Sequence, residues 1–305
     1  MSHGQIHAWN ILDRKPVLAK WEEGLFTEIT PTDEPPAEAK WIGPPLLDLQ
    51  VNGFAGIDFQ QGDLSEADLL HAVEQLGQAC CGQILFTLVT DDWEAMTRRL
   101  GRAKQLRDAH PALGRAIAGW HIEGPFLSAE TGYCGAHPAD KMLRPTPERV
   151  AELRELAGDD PLLLTMAPEV NGGLKGFATA RELGIRVSIG HTNAPGHILR
   201  RVTAAGPAGF THLGNGCPAT LDRADNILWR ALDTPGLTCG LIPDRWHVPP
   251  ALFRLIHRLV DPDSIYYTTD AMAAAIEWAL ADPVRLAAMG ARSHEIAKAS
   301  DFEVG

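Results

Sequence analysis

The residues best suited to chemistry are histidines and carboxylates that directly follow short apolar runs. Glu123 lies in GWHIEGPF, His191 in SIGHTNA, His212 in FTHLGNG and Asp270 in YYTTDAMA. A carboxylate, two neutral imidazoles and a water molecule form an open, catalytic coordination pattern for zinc or a similar divalent ion. A nearby aspartate suits a base that takes a proton from water. These residue types predict metal-dependent hydrolysis, provided that the fold brings them together.

Eight short apolar runs predict the strands that must position these residues. They cover residues 45–51, 83–89, 116–122, 161–167, 185–190, 208–213, 236–242 and 264–269. Helical patterns lie between them at 65–79, 93–109, 147–157, 174–184, 195–205 and 249–260, with a last helix expected within 274–299. This alternation over about 250 residues predicts a parallel (β/α)₈ TIM barrel. A doubly wound sheet is the alternative, but no GxGxxG follows the first strand.

Catalytic side chains in such a barrel sit at the C-terminal ends of its strands. The predicted barrel brings six polar side chains to one mouth: Gln50, Asn52, Glu123, His191, His212 and Asp270. A single buried histidine is more often structural than a ligand, and Glu123 alone would suit an ion pair. Several unpaired ionisable groups at successive strand ends are costly, whereas a bound cation removes that cost. We therefore favour a metal site over a structural cluster.

The composition is that of an ordinary globular chain of 305 residues, 45% apolar and 22% charged. The net charge of −12 argues against nonspecific binding to nucleic acid or to anionic membranes. The five cysteines are an odd number without a CxxC spacing, which predicts neither a disulfide framework nor a thiolate zinc site. No signal-like segment and no run of about 20 apolar residues is visible, so we expect a cytoplasmic protein.

Residues 1–45 read differently from the rest of the chain. Short β-like segments at 7–12, 16–24 and 25–32 precede a loop that is rich in proline and charge. This is too little sequence for a stable domain of its own. We expect a small, incomplete N-terminal β subdomain over residues 1–45 and the barrel over residues 46–305.

Seven segments together resemble the N-acetylglucosamine-6-phosphate deacetylases of the amidohydrolase superfamily. They are LLDLQVNGFAGIDF, GWHIEGPFLS, CGAHP, IGHTNA, THLGNGCP, GLIPDRWHV and TTDAMAAA, in the family's order over residues 46–275. The resemblance implies a barrel of the metal-dependent amidohydrolase type and a homodimer. It also implies release of acetate from N-acetylglucosamine 6-phosphate, a small amino sugar phosphate, to give glucosamine 6-phosphate.

The resemblance further implies one divalent metal ion per subunit, bound by Glu123, His191 and His212. Zinc is expected, although the donor set also suits Fe, Mn, Co or Ni. Many amidohydrolases carry a His-x-His pair on the first strand for a second metal ion. This chain has Gln50 and Asn52 there, so this position is vestigial and a single metal ion is expected.

The remaining roles are carried over residue by residue. Asp270 matches the catalytic aspartate, His137 matches a histidine near the sugar or acetamide, and Ala136 is a backbone contact beside it. Contacts to the substrate phosphate are implied for four residues: Asn215, Gly216, Arg223 and His247. In this family the arginine can come from the neighbouring subunit. A weak surface ion pair with Asp222 or Asp225 is the alternative for Arg223.

One departure from the family keeps two other functions open. Only 35 residues follow Asp270, fewer than is usual, and we therefore expect a more open site. The chain could instead be an amidohydrolase for another N-acetyl amino sugar phosphate or another amide. A non-catalytic sugar-phosphate sensor is the other alternative, but a sensor has no need of Asp270 beside all three metal ligands.

Overall fold

The structure is a computed structural model that describes residues 3–272. The chain divides into two compact units, one ending at Leu46 and the next beginning at Leu47, one residue from the expected boundary. The helix expected within 274–299 lies outside the described residues. Within residues 3–272, every helix is too short or too polar to cross a lipid bilayer.

The first unit contains a four-stranded sheet. Its strands are β1 (His3–Asn10), β2 (Pro16–Glu22), β3 (Leu25–Pro31) and β4 (Trp41–Ile42). The spatial order is β3-β2-β1-β4, with β4 parallel to β1 and the other pairs antiparallel. All three predicted β-like segments form strands, while the two-residue β4 is too short to be predicted from an alternating pattern.

The second unit contains an eight-stranded parallel sheet. Its strands are β5 (Leu46–Val51), β8 (Cys81–Val89), β9 (Ile117–Glu123), β10 (Leu162–Met166), β11 (Arg186–Ile189), β12 (Ala208–Phe210), β13 (Leu237–Leu241) and β14 (Ile265–Tyr267). Their order in the sheet is their order in the chain. Between β5 and the first helix, β6 (Gly53–Phe54) and β7 (Ile57–Asp58) form a small antiparallel ribbon. Each of the eight strands overlaps a predicted one, which confirms the (β/α)₈ barrel.

Helices alternate with the strands of this barrel. They are α1 (Glu66–Gln78), α2 (Trp93–Ala109), α3 (Pro111–Ala116), α4 (Pro147–Ala157), α5 (Gly173–Glu182), α6 (Gly196–Ala204), α7 (Ile227–Leu232) and α8 (Pro250–Leu259). All six helices predicted within the described residues are present. The sequence analysis missed α3 and α7, because a helix of six residues is too short to show a 3.6-residue period.

Side chains on β9 show how the barrel separates its apolar and polar layers. Trp120 and Ile122 are fully buried in the main apolar core. His121 instead forms hydrogen bonds to groups on β5 and β10, across the barrel interior. Because successive side chains of a strand point to opposite faces, Glu123 lies on the same inner face as His121.

A buried carboxylate helps to close the seam between the first and last strands. Asp48 on β5 accepts hydrogen bonds from the hydroxyls of Thr268 and Thr269, and its Oδ2 lies 3.1 Å from the Thr269 amide. Farther along the chain, the backbone N–H of Asn52 donates to the carbonyl of Ala271 at 2.8 Å. These bonds hold the segment that follows β14 against the C-terminal end of β5.

Candidate active site

Three of the predicted residues form a buried donor cluster at the C-terminal mouth of the barrel. Glu123 is the last residue of β9, while His191 and His212 each lie two residues beyond the ends of β11 and β12. Their potential ligand atoms lie within 4.8 Å of one another, and the three are the one such group found among residues 3–272. Glu123 Oε1 is 2.8 Å from His212 Nε2 and 3.4 Å from His191 Nε2.

The donor cluster fits a divalent metal ion. One carboxylate and two imidazoles make a three-ligand set that leaves a position for water or substrate. His191 Nδ1 lies 3.0 Å from the carbonyl oxygen of Tyr133. A hydrogen bond to that carbonyl puts the ring hydrogen on Nδ1 and leaves Nε2 free to ligate, as is usual for metal-binding histidines. His212 Nδ1 is buried without a hydrogen-bond partner in the described part of the chain.

The electrostatics of the cluster also favour a cation. Burial opposes ionisation of Glu123, but the surrounding imidazoles of His137, His191 and His212 outweigh it and hold the pKa of Glu123 well below its usual value. Burial lowers the pKa of His191. The site therefore combines an ionised carboxylate with one imidazole, His191, that favours its neutral form. Burial also opposes the charged form of His212, but the hydrogen bond to Glu123 outweighs it and raises the pKa of His212. A bound metal ion would take the place of that proton.

Two glycines pack closely against the ring of His191. A Cβ atom added at Gly135 would lie 3.0 Å from His191 Cε1, and one added at Gly216 would lie 3.1 Å from the same ring. Both glycines also have positive φ angles, of 60°. Gly216 was predicted as a phosphate contact; the structure shows it packed against a predicted metal ligand.

Three residues of the predicted site have strained backbone conformations. His191, His212 and Asp270 have φ angles of 48°, 34° and 51°, in the left-handed region that residues other than glycine rarely adopt. Such conformations cost about 1–3 kcal/mol each and persist only where the surrounding structure enforces them. All three residues lie just beyond a barrel strand, where the turn aims the side chain into the mouth.

Asp270 is held beside the cluster by an amide. Asn52 Nδ2 donates to Asp270 Oδ1 at 2.7 Å. Burial, together with the negative charge of Glu123, raises the pKa of Asp270 to about 6. A carboxylate with a pKa near neutrality is well matched to accept and return a proton.

Gln50 and Asn52 place amide groups where a second metal site was predicted to be vestigial. Gln50 Nε2 donates to Glu123 Oε2 at 3.0 Å, just as Asn52 donates to Asp270. Both amides are buried, with 2% of each residue exposed. An amide N–H donates hydrogen bonds and does not bind a metal ion. The side chains of Gln50 and Asn52 therefore orient the carboxylates of Glu123 and Asp270 by hydrogen bonds.

His137 lies in the same buried group. Its Nε2 is 3.6 Å from Glu123 Oε2, and its Nδ1 is 2.8 Å from the hydroxyl of Thr90. Thr90 directly follows β8, so it obeys the strand-end rule that selected the other residues. The sequence analysis missed it because a threonine after a strand is common and carries little chemical signal.

The other predicted substrate contacts lie on loops around the mouth. Ala136 is exposed, while Asn215 and Gly216 are half-buried in the segment that follows His212. The exposed His247 lies close enough to Asp270 and His212 for their charges to act on it. A 2.6 Å hydrogen bond to Asp244 raises the pKa of His247, which favours its cationic form.

Arg223 is exposed, unlike the donor cluster. Asp225 pairs instead with Arg230, at 2.5 Å, and Asp222 accepts hydrogen bonds from two backbone amides of its own turn. Among the described residues, neither aspartate forms the ion pair with Arg223 that was the alternative to phosphate binding. The guanidinium of Arg223 thus lies in solvent contact on the loop between β12 and α7.

Comparisons with known proteins show that this chain is similar to deacetylases of amino sugar phosphates. The chain is 32% identical over 234 residues to an N-acetylgalactosamine-6-phosphate deacetylase of Shewanella, covering 75% of this chain and 56% of that protein. It is 31% identical over 248 residues to an N-acetylglucosamine-6-phosphate deacetylase of Danio rerio, covering 78% and 59%. The chain spans about three fifths of the length of the curated relatives it matches. No protein-family profile matches it.

The fold comparison extends over more of the chain. The N-acetyl-D-glucosamine-6-phosphate deacetylase of Mycobacterium smegmatis, solved as a mutant in complex with N-acetyl-D-glucosamine-6-phosphate, superimposes with a TM-score of 0.74 and 26% identity. The match covers 90% of this chain and 72% of that one. The structure is thus a (β/α)₈ barrel with a candidate metal centre at its mouth. The resemblance to the N-acetylglucosamine-6-phosphate deacetylase family is confirmed over the part of the chain that these proteins share.

Proposed function

We propose that the protein hydrolyses the acetamide of N-acetylglucosamine 6-phosphate to glucosamine 6-phosphate and acetate. The observation that carries the proposal is the buried group at the barrel mouth. It joins the donor set of Glu123, His191 and His212 to a carboxylate and an imidazole that are not needed as ligands, Asp270 and His137. The relatives named for this activity support the choice of substrate.

The side chains divide the chemistry between them. A divalent ion held by Glu123, His191 and His212 would supply a Lewis acid and lower the pKa of water. Asp270 accepts a proton as the water oxygen bonds to the amide carbon, and returns it to the nitrogen as the carbon–nitrogen bond breaks. His137, buried beside Glu123, would donate a hydrogen bond to the carbonyl oxygen as negative charge develops there.

Acetate release by the purified, metal-analysed protein tests the proposal. N-acetylglucosamine 6-phosphate and its unphosphorylated counterpart are assayed side by side. Fast release from the phosphorylated sugar alone would support the reaction and the phosphate contacts together. No release from either sugar, in protein that holds about one metal ion per subunit, would contradict it. A different N-acetyl sugar phosphate or amide, or a non-catalytic sugar-phosphate sensor, would then be the alternatives.

N-acetylgalactosamine 6-phosphate is a second candidate substrate. The 32% identity to a deacetylase named for that sugar favours it, and the two sugars differ only in the configuration at one ring carbon. The ratio of kcat/KM for the two phosphorylated sugars decides between them. A ratio near one would assign the protein to both.

Arg223 is proposed to bind the substrate phosphate. Arg223→Ala is expected to raise KM for the phosphorylated sugar by about tenfold or more, since a hydrogen bond to a charged group contributes about 1.5–3 kcal/mol. The rate with the unphosphorylated sugar should not change. Arg98→Ala, which removes another exposed arginine from the outer helix α2, is the matched control. An unchanged KM in the Arg223 variant would exclude this role.

The pH dependence of the reaction should report Asp270. Its pKa of about 6 is raised by burial and by the charge of Glu123. A bound cation would offset the effect of the Glu123 charge and lower the pKa of Asp270 in the metal-bound protein. We therefore expect activity to fall as the pH decreases, with a midpoint between about pH 4 and 6. The substrate phosphate also titrates near pH 6, and the profile is therefore repeated with the unphosphorylated sugar. A midpoint above pH 7 with both sugars would contradict Asp270 as the base.

Three further features belong to the same proposal. Zinc is the expected metal ion, with one per subunit, because Glu/His/His is an open three-ligand set of the kind that zinc enzymes use. The homodimer implied by the family resemblance would let Arg223 reach a neighbouring subunit. A cytoplasmic location agrees with a phosphorylated substrate, which does not cross membranes freely. Metal analysis and sedimentation of the same sample address the first two.

A further inference from the structure

The interior of the barrel below the donor cluster is occupied by polar side chains. His121 on β9, Thr165 on β10, Ser188 on β11 and Thr211 just beyond β12 are each at most 1% exposed. Barrel interiors are usually filled by bulky branched apolar residues. Burying hydroxyl and imidazole groups costs folding free energy unless they are hydrogen bonded. The presence of four polar side chains in this layer therefore calls for an explanation.

These four side chains form one continuous hydrogen-bonded chain, which we call the interior brace. Ser188 Oγ lies 2.6 Å from Thr211 Oγ1, which lies 2.8 Å from Thr165 Oγ1. Thr165 Oγ1 is 2.8 Å from His121 Nε2, and His121 Nδ1 is 3.0 Å from the carbonyl oxygen of Leu49. Each side chain in the brace thus has its polar groups satisfied.

Two bonds of the interior brace join strands that share no backbone ladder. The bond from Thr165 to Thr211 connects β10 with the end of β12, although β11 lies between them. The bond from His121 to Leu49 connects β9 with β5, across β8. Ladder bonds set the spacing of neighbouring strands only, whereas these bonds fix distances across the barrel.

Every ligand-bearing strand carries a member of the brace close to its ligand. His121 lies two residues before Glu123, and Thr211 directly precedes His212. Ser188 lies three residues before His191. His191 and His212 also have strained, positive φ angles, so their positions depend on rigid support from the strand ends below them. A satisfied hydrogen-bond network in a low-dielectric interior supplies such rigidity.

We propose that the interior brace positions the three metal ligands: the hydroxyls of Thr211, Thr165 and Ser188, with His121, set the distances between the strand ends that carry Glu123, His191 and His212. These are positioning residues that act through the ligands and do not touch substrate. The inference rests on the metal site of the proposed function.

The hydroxyl of Thr211 is the best test because it forms two bonds of the brace. Thr211→Val removes the hydroxyl and keeps the shape, whereas Thr211→Ser keeps the hydroxyl and removes the methyl group. Metal-free protein is titrated with Co²⁺ against a competing chelator, and the visible spectrum of bound Co²⁺ is recorded. We expect Thr211→Val to weaken Co²⁺ binding by about 10-fold or more and to alter the spectrum. Thr211→Ser should retain both properties.

Thr97→Val is the matched control, since Thr97 is a buried threonine on α2 whose hydroxyl donates to the carbonyl of Trp93. It should bind Co²⁺ like the wild type. If Thr211→Val does not fold, Ser188→Ala removes one end of the brace and leaves the bond between Thr165 and Thr211. Wild-type affinity and spectrum in the folded variant would overturn the inference. A wild-type protein that binds no Co²⁺ would instead overturn the proposed metal site itself.

Discussion

Asp270→Asn is expected to lower kcat for deacetylation by about 10²–10⁴-fold, the usual contribution of a positioned general acid–base group. The amide cannot accept the proton of the attacking water or return it to the leaving nitrogen. Its side-chain oxygen can still accept the hydrogen bond that Asn52 donates at 2.7 Å. The loss should therefore appear in the chemical step and not in folding, metal content or KM.

Measurements of kcat, KM and bound metal on the same preparation check this expectation. Asp233→Asn, a neutralised carboxylate on the exposed end of α7, is the control for the loss of one negative charge. If Asp270→Asn retained more than about a tenth of the wild-type kcat, Asp270 would not be the base. The residual rate should also lose the acid limb of the pH profile.

Glu123→Gln is expected to remove the metal ion. Glu123 is the one anionic member of the donor cluster, and its Oε1 faces both His191 and His212. An uncharged amide in its place leaves two neutral imidazoles, which bind a divalent cation far more weakly. We expect metal affinity to fall by more than about 100-fold, beyond the effect of losing a partner outside the ligand set. Activity should fall in proportion to the metal lost.

Glu169→Gln provides a closely matched control. Glu169 is a half-buried carboxylate, three residues beyond the end of β10, but its oxygens accept from the Thr192 hydroxyl and the backbone amide of Asn193. It is not part of the donor cluster. Equilibrium dialysis followed by metal analysis should find about one ion per subunit in this variant and almost none in Glu123→Gln. Equal metal content in both would show that Glu123 is not a ligand.

The architecture could be predicted from the sequence because its strands are short, apolar and regularly spaced. All eight barrel strands and six of the helices produce a local pattern of burial that is visible in the residue order. The helices α3 and α7 and the strand β4 produce no such pattern, because six or two residues do not complete a period. Their positions depend on contacts with elements distant in the chain.

The donor cluster was predictable for a different reason. Once the strands are placed, the barrel brings every strand's C-terminal end to one mouth, and Glu123, His191 and His212 are reactive types at those ends. Thr90 occupies an equivalent position and holds His137 at 2.8 Å, yet a threonine there does not stand out. Gly216 was expected at the phosphate, and only the three-dimensional arrangement reveals its contact with His191.

The sequence by itself determined the order of strands and helices, the residue types at each strand end and the chemistry that those types permit. These are properties of residue identity and spacing along the chain. The tertiary structure alone decided which polar groups face one another: Gln50 against Glu123, Asn52 against Asp270, and the brace from Leu49 through His121 to Ser188. Such bonds join residues 23 to 218 positions apart, and their distances are set by how the barrel closes, which no local pattern encodes.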